Sequence, residues 1–130
     1  MSLSKWLFRA IHYNWGLIGP CDWEKTYWTV YTDGTVLEDI RYRPDSDGKR
    51  RIIRKHLRFS EEAFAQLSQL LSTDFVDACT NQNGCDGEAW EMTTYNENEE
   101  VTHHIPIGYI YDSKPLCRIE NLLEKMDHYM

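Results

Sequence analysis

The chain has no G-x-x-x-x-G-K-[ST], no G-x-G-x-x-G and no G-x-S-x-G. Those phosphate-cradling and nucleophile-bearing turns cannot be built without their glycines, so P-loop, dinucleotide-dependent and α/β-hydrolase chemistry are not expected. No apolar run approaches the roughly 18 residues of a membrane-spanning helix, and the mean hydropathy is −0.61. Collagen-like and coiled-coil repetition are absent, as are internal repeats, low-complexity segments and linkers. Residues 1–130 therefore read as a single domain. Arg9 interrupts the only apolar stretch near the N-terminus, so no secretory h-region forms. The expected compartment is the cytoplasm, with Cys21, Cys79, Cys85 and Cys117 held as thiols.

Aromatic side chains are abundant: five Trp, eight Tyr and four Phe in 130 residues. That content is incompatible with intrinsic disorder. The formal net charge of −7 argues against broad nucleic-acid or anionic-membrane binding. The charge is also segregated. Arg41–Arg58 holds eight basic and two acidic residues, whereas Asp86–Glu100 holds six acids and no base.

Hydrophobic patterning predicts the order β-β-β-β-α-β-β-α. Residues 5–14 fit a helix stripe or a strand, and aromatic and β-branched content favours the strand. Residues 24–32 and 35–42 flank Asp33-Gly34, which predicts a hairpin closed by a two-residue type I′ turn. Residues 50–58 predict the next strand, with Ile53, Leu57 and Phe59 on one face and Arg50, Arg54, His56 and Arg58 on the other. Ser60 is a good N-cap for a helix over about 61–72, with Phe64, Leu67, Leu70 and Leu71 as its apolar stripe. Residues 88–95 and 99–105 predict a second hairpin, interrupted at Pro106 and Gly108. A last helix over about 114–127 would bury Leu116, Ile119, Leu122, Leu123 and Met126. The expected fold class is α+β: one mainly antiparallel sheet of about six strands in two hairpin units, with two amphipathic helices on one face. The uncovered face would need large side chains over it, and would also serve as a homodimer surface.

Metal and nucleophile chemistry find poor support. No H-E-x-x-H is present, and five residues separate Cys79 from Cys85, outside the usual thiolate-pair spacing. His103 and His104 are adjacent, so on a strand they point to opposite faces. Asp86 beside Cys85 works against a reactive thiolate. No metal and no cofactor are expected. The basic segment Lys49–Arg58 would suit phosphates, but a solvated or edge-protecting strand face is the plainer reading, with the acidic hairpin as its neutralising neighbour.

Tyr13, Trp15 and Trp23 surround a loop holding two glycines and a proline, a composition common in binding hot spots. The layout of hairpins and helices resembles that of several compact inhibitor and immunity proteins. Small size, charge segregation, a Trp-bearing loop and the lack of a catalytic kit together suit a protein that acts by docking. The expectation is a small acidic, non-enzymatic protein-binding module, inhibitor-like, with Tyr13, Trp15 and Trp23 as anchors. Glu88, Glu91, Glu97, Glu99 and Glu100 would steer a basic protein partner. The alternative is a small-ligand or carbohydrate-binding domain built on the same rings; a metal-dependent enzyme ranks third.

Overall fold

The computed structural model describes residues 5–14, 23–72, 88–108, 114–124 and 127–128. Four strands come first: β1 (Trp6–Asn14), β2 (Trp23–Tyr31), β3 (Thr35–Tyr42) and β4 (Ile52–Arg58). Helix α1 (Glu61–Ser72), β5 (Glu88–Tyr95), β6 (Val101–Gly108), α2 (Lys114–Glu124) and the two-residue β7 (Asp127–His128) follow. The strands form one antiparallel sheet in the order β6-β5-β1-β2-β3-β4-β7. The expected α+β class is therefore observed, with six full strands and one short addition. Trp6–Asn14 is a strand and not a helix.

Directly paired residues share a face, so the register defines two surfaces. Phe8, Val30, Val36 and Leu57 form one row across β1–β4, and Ala10 pairs with both Trp28 and Met92. These residues are buried in one cluster with Leu67 and Leu70 of α1 and Leu116, Ile119 and Leu123 of α2. Each large aliphatic side chain hidden there contributes about 1.5–3 kcal/mol. Ser60 Oγ accepts from Ala63 N at 3.1 Å, the expected cap of α1.

On the opposite face the sheet covers itself with its own side chains. The Arg9 guanidinium lies 4.7 Å from the Trp6 ring centroid, and Trp6 packs edge-on against Tyr95 at 5.5 Å. Arg41 lies over Tyr27 at 4.8 Å and faces Asp39, which also takes Arg54 at 3.4 Å. Every Trp, Tyr and Phe among the described residues is at least partly buried.

Several boundaries differ from expectation, each for a physical reason. Asp33-Gly34 does not close a two-residue turn. Gly34 N donates to Tyr31 O at 3.0 Å, and Gly34 alone has positive φ (88°). The loop is thus three residues long, a type I turn followed by a left-handed residue. Asp33 Oδ1 accepts from Thr35 N at 3.0 Å, which occupies Asp33 in an ordinary backbone conformation.

β4 begins at Ile52, not at Arg50, because the 43–51 loop is folded on itself: Tyr42 N donates to Arg51 O at 3.0 Å. β6 begins at Val101 because Glu99 takes positive φ (60°) in the turn. It then runs through Pro106 to Gly108 without ending. β6 is the outer strand, where a missing N–H is tolerated. The register against β5 also shifts between Trp90↔Gly108 and Met92↔Ile105, the mark of a bulge. α2 stops at Glu124, and Asp127–His128 pair with Arg58 and Leu57 of β4.

The basic β4 does not lie beside the acidic hairpin. Three strands separate β4 from β5. Its charges find nearer partners on β3, with Lys55 3.9 Å from Glu38.

Candidate binding cleft

The helix-covered face is left open at one end, where β1, β2 and β3 pass the C-terminus of α2. A cleft of about 390 Å³ opens there, lined by His12, Trp23, Thr26, Trp28, Glu38, Ile40, Tyr42 and Glu124. Register explains its membership. Thr26 pairs with His12 and Ile40, Trp28 with Glu38, and Trp23 with Tyr42, so the strands deliver these side chains in adjacent rows.

The wall is a stack of flat rings. His12 lies on Trp90 with centroids 4.1 Å apart and 12° between planes, and Trp23 sits 4.9 Å from His12. Trp28 and Trp90 are parallel within 8° at 5.3 Å. Trp28 Nε1 is buried with no hydrogen-bond partner among the described residues. Such a donor costs about 1–3 kcal/mol, a departure from the usual economy of cores. Trp23 and Tyr42 are only partly buried and form the accessible ring surface.

The rim is acidic. Glu38 is ion-paired to Lys55 and its side chain is 13% exposed. Glu124, the last residue of α2, is exposed and lines the same cleft. Partly accessible Trp23 and Tyr42 rings beside two carboxylates form a surface suited to a cation, and Arg51 already lies 4.2 Å from the Tyr42 ring centroid in this way.

The residues expected to form a site are not gathered together. Trp23 belongs to the cleft. Tyr13 lies on the opposite face, where its hydroxyl donates to Glu91 Oε1 at 3.1 Å and Lys25 sits 5.6 Å from its ring centroid. Burial first, and then the Glu91 carboxylate, push the Tyr13 phenol up to about 12. Glu91 also bonds His104 Nε2 at 2.7 Å, giving a Tyr–Glu–His chain across β1, β5 and β6. Glu88 and the exposed Glu97, Glu99 and Glu100 stand at opposite ends of β5. A strand of eight residues spans about 25 Å, so these acids form no single patch. Trp15, Cys21, Cys79 and Cys85 lie outside the described residues, as does Met126.

Sequence reasoning missed His12, Trp28, Tyr42, Glu38 and Glu124. Parity along β2 places Thr26 and Trp28 on one face, but the correct hairpin register was also needed to bring Glu38 to that face. No group of three or more metal-ligating side chains occurs among the described residues. Nor is any helix there long and apolar enough to cross a membrane. Compared with family models, curated proteins and solved structures, the chain matches none of them.

Proposed function

We propose that the protein is a non-enzymatic binding module that acts by docking, and that its cleft receives one cationic side chain, Lys or Arg, from a basic protein partner. The observation that carries this reading is the meeting of Trp23, Trp28 and Tyr42 with Glu38 and Glu124 in one open cleft. Ring faces attract a desolvated cation by about 0.5–2 kcal/mol. The two carboxylates add charge complementarity, and the net charge of −7 favours a basic partner at long range.

Tryptophan fluorescence tests the reading. The titrant is a short arginine-bearing peptide, and the control is the same peptide with citrulline in place of arginine. The arginine peptide is expected to give a saturable change that citrulline does not. Trp23→Ala should weaken it several-fold, the loss of about 1 kcal/mol of cation–π attraction. Equal responses to both peptides would remove the cation. A response to neutral sugars alone would move the reading to a carbohydrate-binding domain, with Trp23 and Tyr42 as the stacking surface.

A further inference from the structure

Beyond the end of β3 lies a second pocket, of about 300 Å³, lined by Tyr42, Arg43, Asp45, Lys49, Arg50 and Arg51. It faces the opposite charge problem from the cleft: four cations surround one carboxylate in a molecule whose net charge is −7. The rest of the basic segment is neutralised differently. Arg41 and Arg54 face Asp39, and Lys55 faces Glu38. Among the described residues Lys49 forms no ion pair, and Arg51 lays its guanidinium 4.2 Å from the Tyr42 ring centroid. Arg50 stands 3.6 Å from Glu24, a partly exposed and loosely matched pair.

The pocket is also built on an ordered frame. Asp45 N donates to Lys49 O at 2.9 Å, Gly48 N donates to Asp45 O at 3.0 Å, and Tyr42 N donates to Arg51 O at 3.0 Å. The one carboxylate in the wall is committed to that frame, since Asp45 Oδ1 accepts from the Asp47 and Lys49 amides at 2.9 Å each. The loop therefore presents its cations from a fixed hairpin, with its acid turned to structural use.

We infer that this pocket binds a phosphate monoester. A dianion with three terminal oxygens can take charge-assisted bonds from more of the lining Lys and Arg side chains than a single carboxylate can, and guanidinium groups are the strongest such partners. The volume exceeds that of a phosphate, which leaves room for the ester's organic part against Tyr42. This inference does not rest on the cation cleft, although Tyr42 lines both.

Backbone amide shifts on nitrogen-15-labelled full-length protein, at constant ionic strength, test it. The probes are inorganic phosphate, glycerol phosphate, a phosphoserine peptide and its unphosphorylated form, with sodium chloride as the control. Saturable shifts centred on Lys49–Arg51 are expected for the phosphate-bearing probes, with the esters ahead of inorganic phosphate. A Lys49→Ala/Arg51→Ala variant should lose about tenfold in affinity, the scale of one or two charge-assisted bonds. Lys49→Arg should retain it. Both substituted residues are exposed, so the double variant's dispersed spectrum serves as the check that it is folded. Tighter binding of the phosphopeptide than of glycerol phosphate would place the ester on a protein; parity would point to a free small molecule. Shifts that do not saturate, that chloride reproduces, or that survive in the double variant would overturn the assignment.

Discussion

Glu99 occupies a backbone conformation that belongs to glycine. Its φ is 60°, while the corresponding loop positions hold Gly34 (88°) and Gly48 (79°). The three loops share one backbone turn, in which Gly34 N, Gly48 N and Glu99 N donate to Tyr31 O, Asp45 O and Asn96 O, and in two of them the first residue's side chain also caps the amide that follows, Asp45 on Lys49 N and Asn96 on Glu100 N. A side chain in the left-handed region costs about 1 kcal/mol. Glu99→Gly is therefore expected to raise stability by up to about 1 kcal/mol in urea melts. Gly34→Ala should lower it by about 1 kcal/mol. A Cβ at Gly34 meets the Phe64 ring at an ordinary 3.7 Å, so strain and not crowding sets that cost. Tyr13 gives a pH prediction. Its neutral phenol is favoured in the fold, with a pKa near 12 against 10.0 for the free side chain. The stabilisation is complete below pH 10 and is lost as pH rises through 12. Phenolate absorbance should show a late-titrating step that Tyr13→Phe removes, while Glu91→Gln, which relieves the charge but not the burial, should bring it only part of the way back.

Among the elements, α1 offers the simplest test of sequence logic. Ser60 was legible as its cap and is bonded as one, so Ser60→Ala should cost about 1 kcal/mol by thermal or urea melting. The strands, both helices and the buried stripe of Leu67, Leu70, Leu116, Ile119 and Leu123 were legible for the same reason: each follows from local periodicity. The cleft was not, and the β2–β3 turn shows why. A two-residue loop at Asp33-Gly34 would set Trp28 opposite Asp39. The observed three-residue loop sets it opposite Glu38 and sends Asp39 to the other face. A one-residue slip exchanges faces along a whole strand, so the acid that joins the cleft was decided by the φ angle of one residue. Long-range pairing was likewise invisible. Nothing local in His12 or Trp90 announces that they stack, because β1 meets β5 only through the fold. Pro106 misled for a related reason. Its cost depends on whether the strand lies at an edge, which is a property of the sheet.

At the scale of the molecule, charge separation in sequence becomes partial neutralisation in space. Bases of Arg41–Lys55 pair with Asp39, Glu38 and Glu24, and the acids of β5 and its turn remain several strands away. The net field is still that of −7. Association with a basic peptide, followed by stopped-flow fluorescence, should slow as salt rises and the Debye length shrinks from about 10 Å at 0.1 M. An on-rate indifferent to salt would remove long-range steering while leaving the cleft itself intact. The strand order carries a further consequence, for biosynthesis. β1 is central, yet its two neighbours are made at very different times: Phe8 pairs with Val30 on one side and Thr94 on the other. At about 5–20 residues per second, the ribosome leaves several seconds between those two partners. Throughout that interval the β1–β4 meander has unpaired edges at both β1 and β4, and the β1 edge, later covered along its length by β5, is a template for another nascent chain. A chaperone that shields this edge, or slow codons that let the meander settle first, would therefore be expected to raise the yield of folded protein.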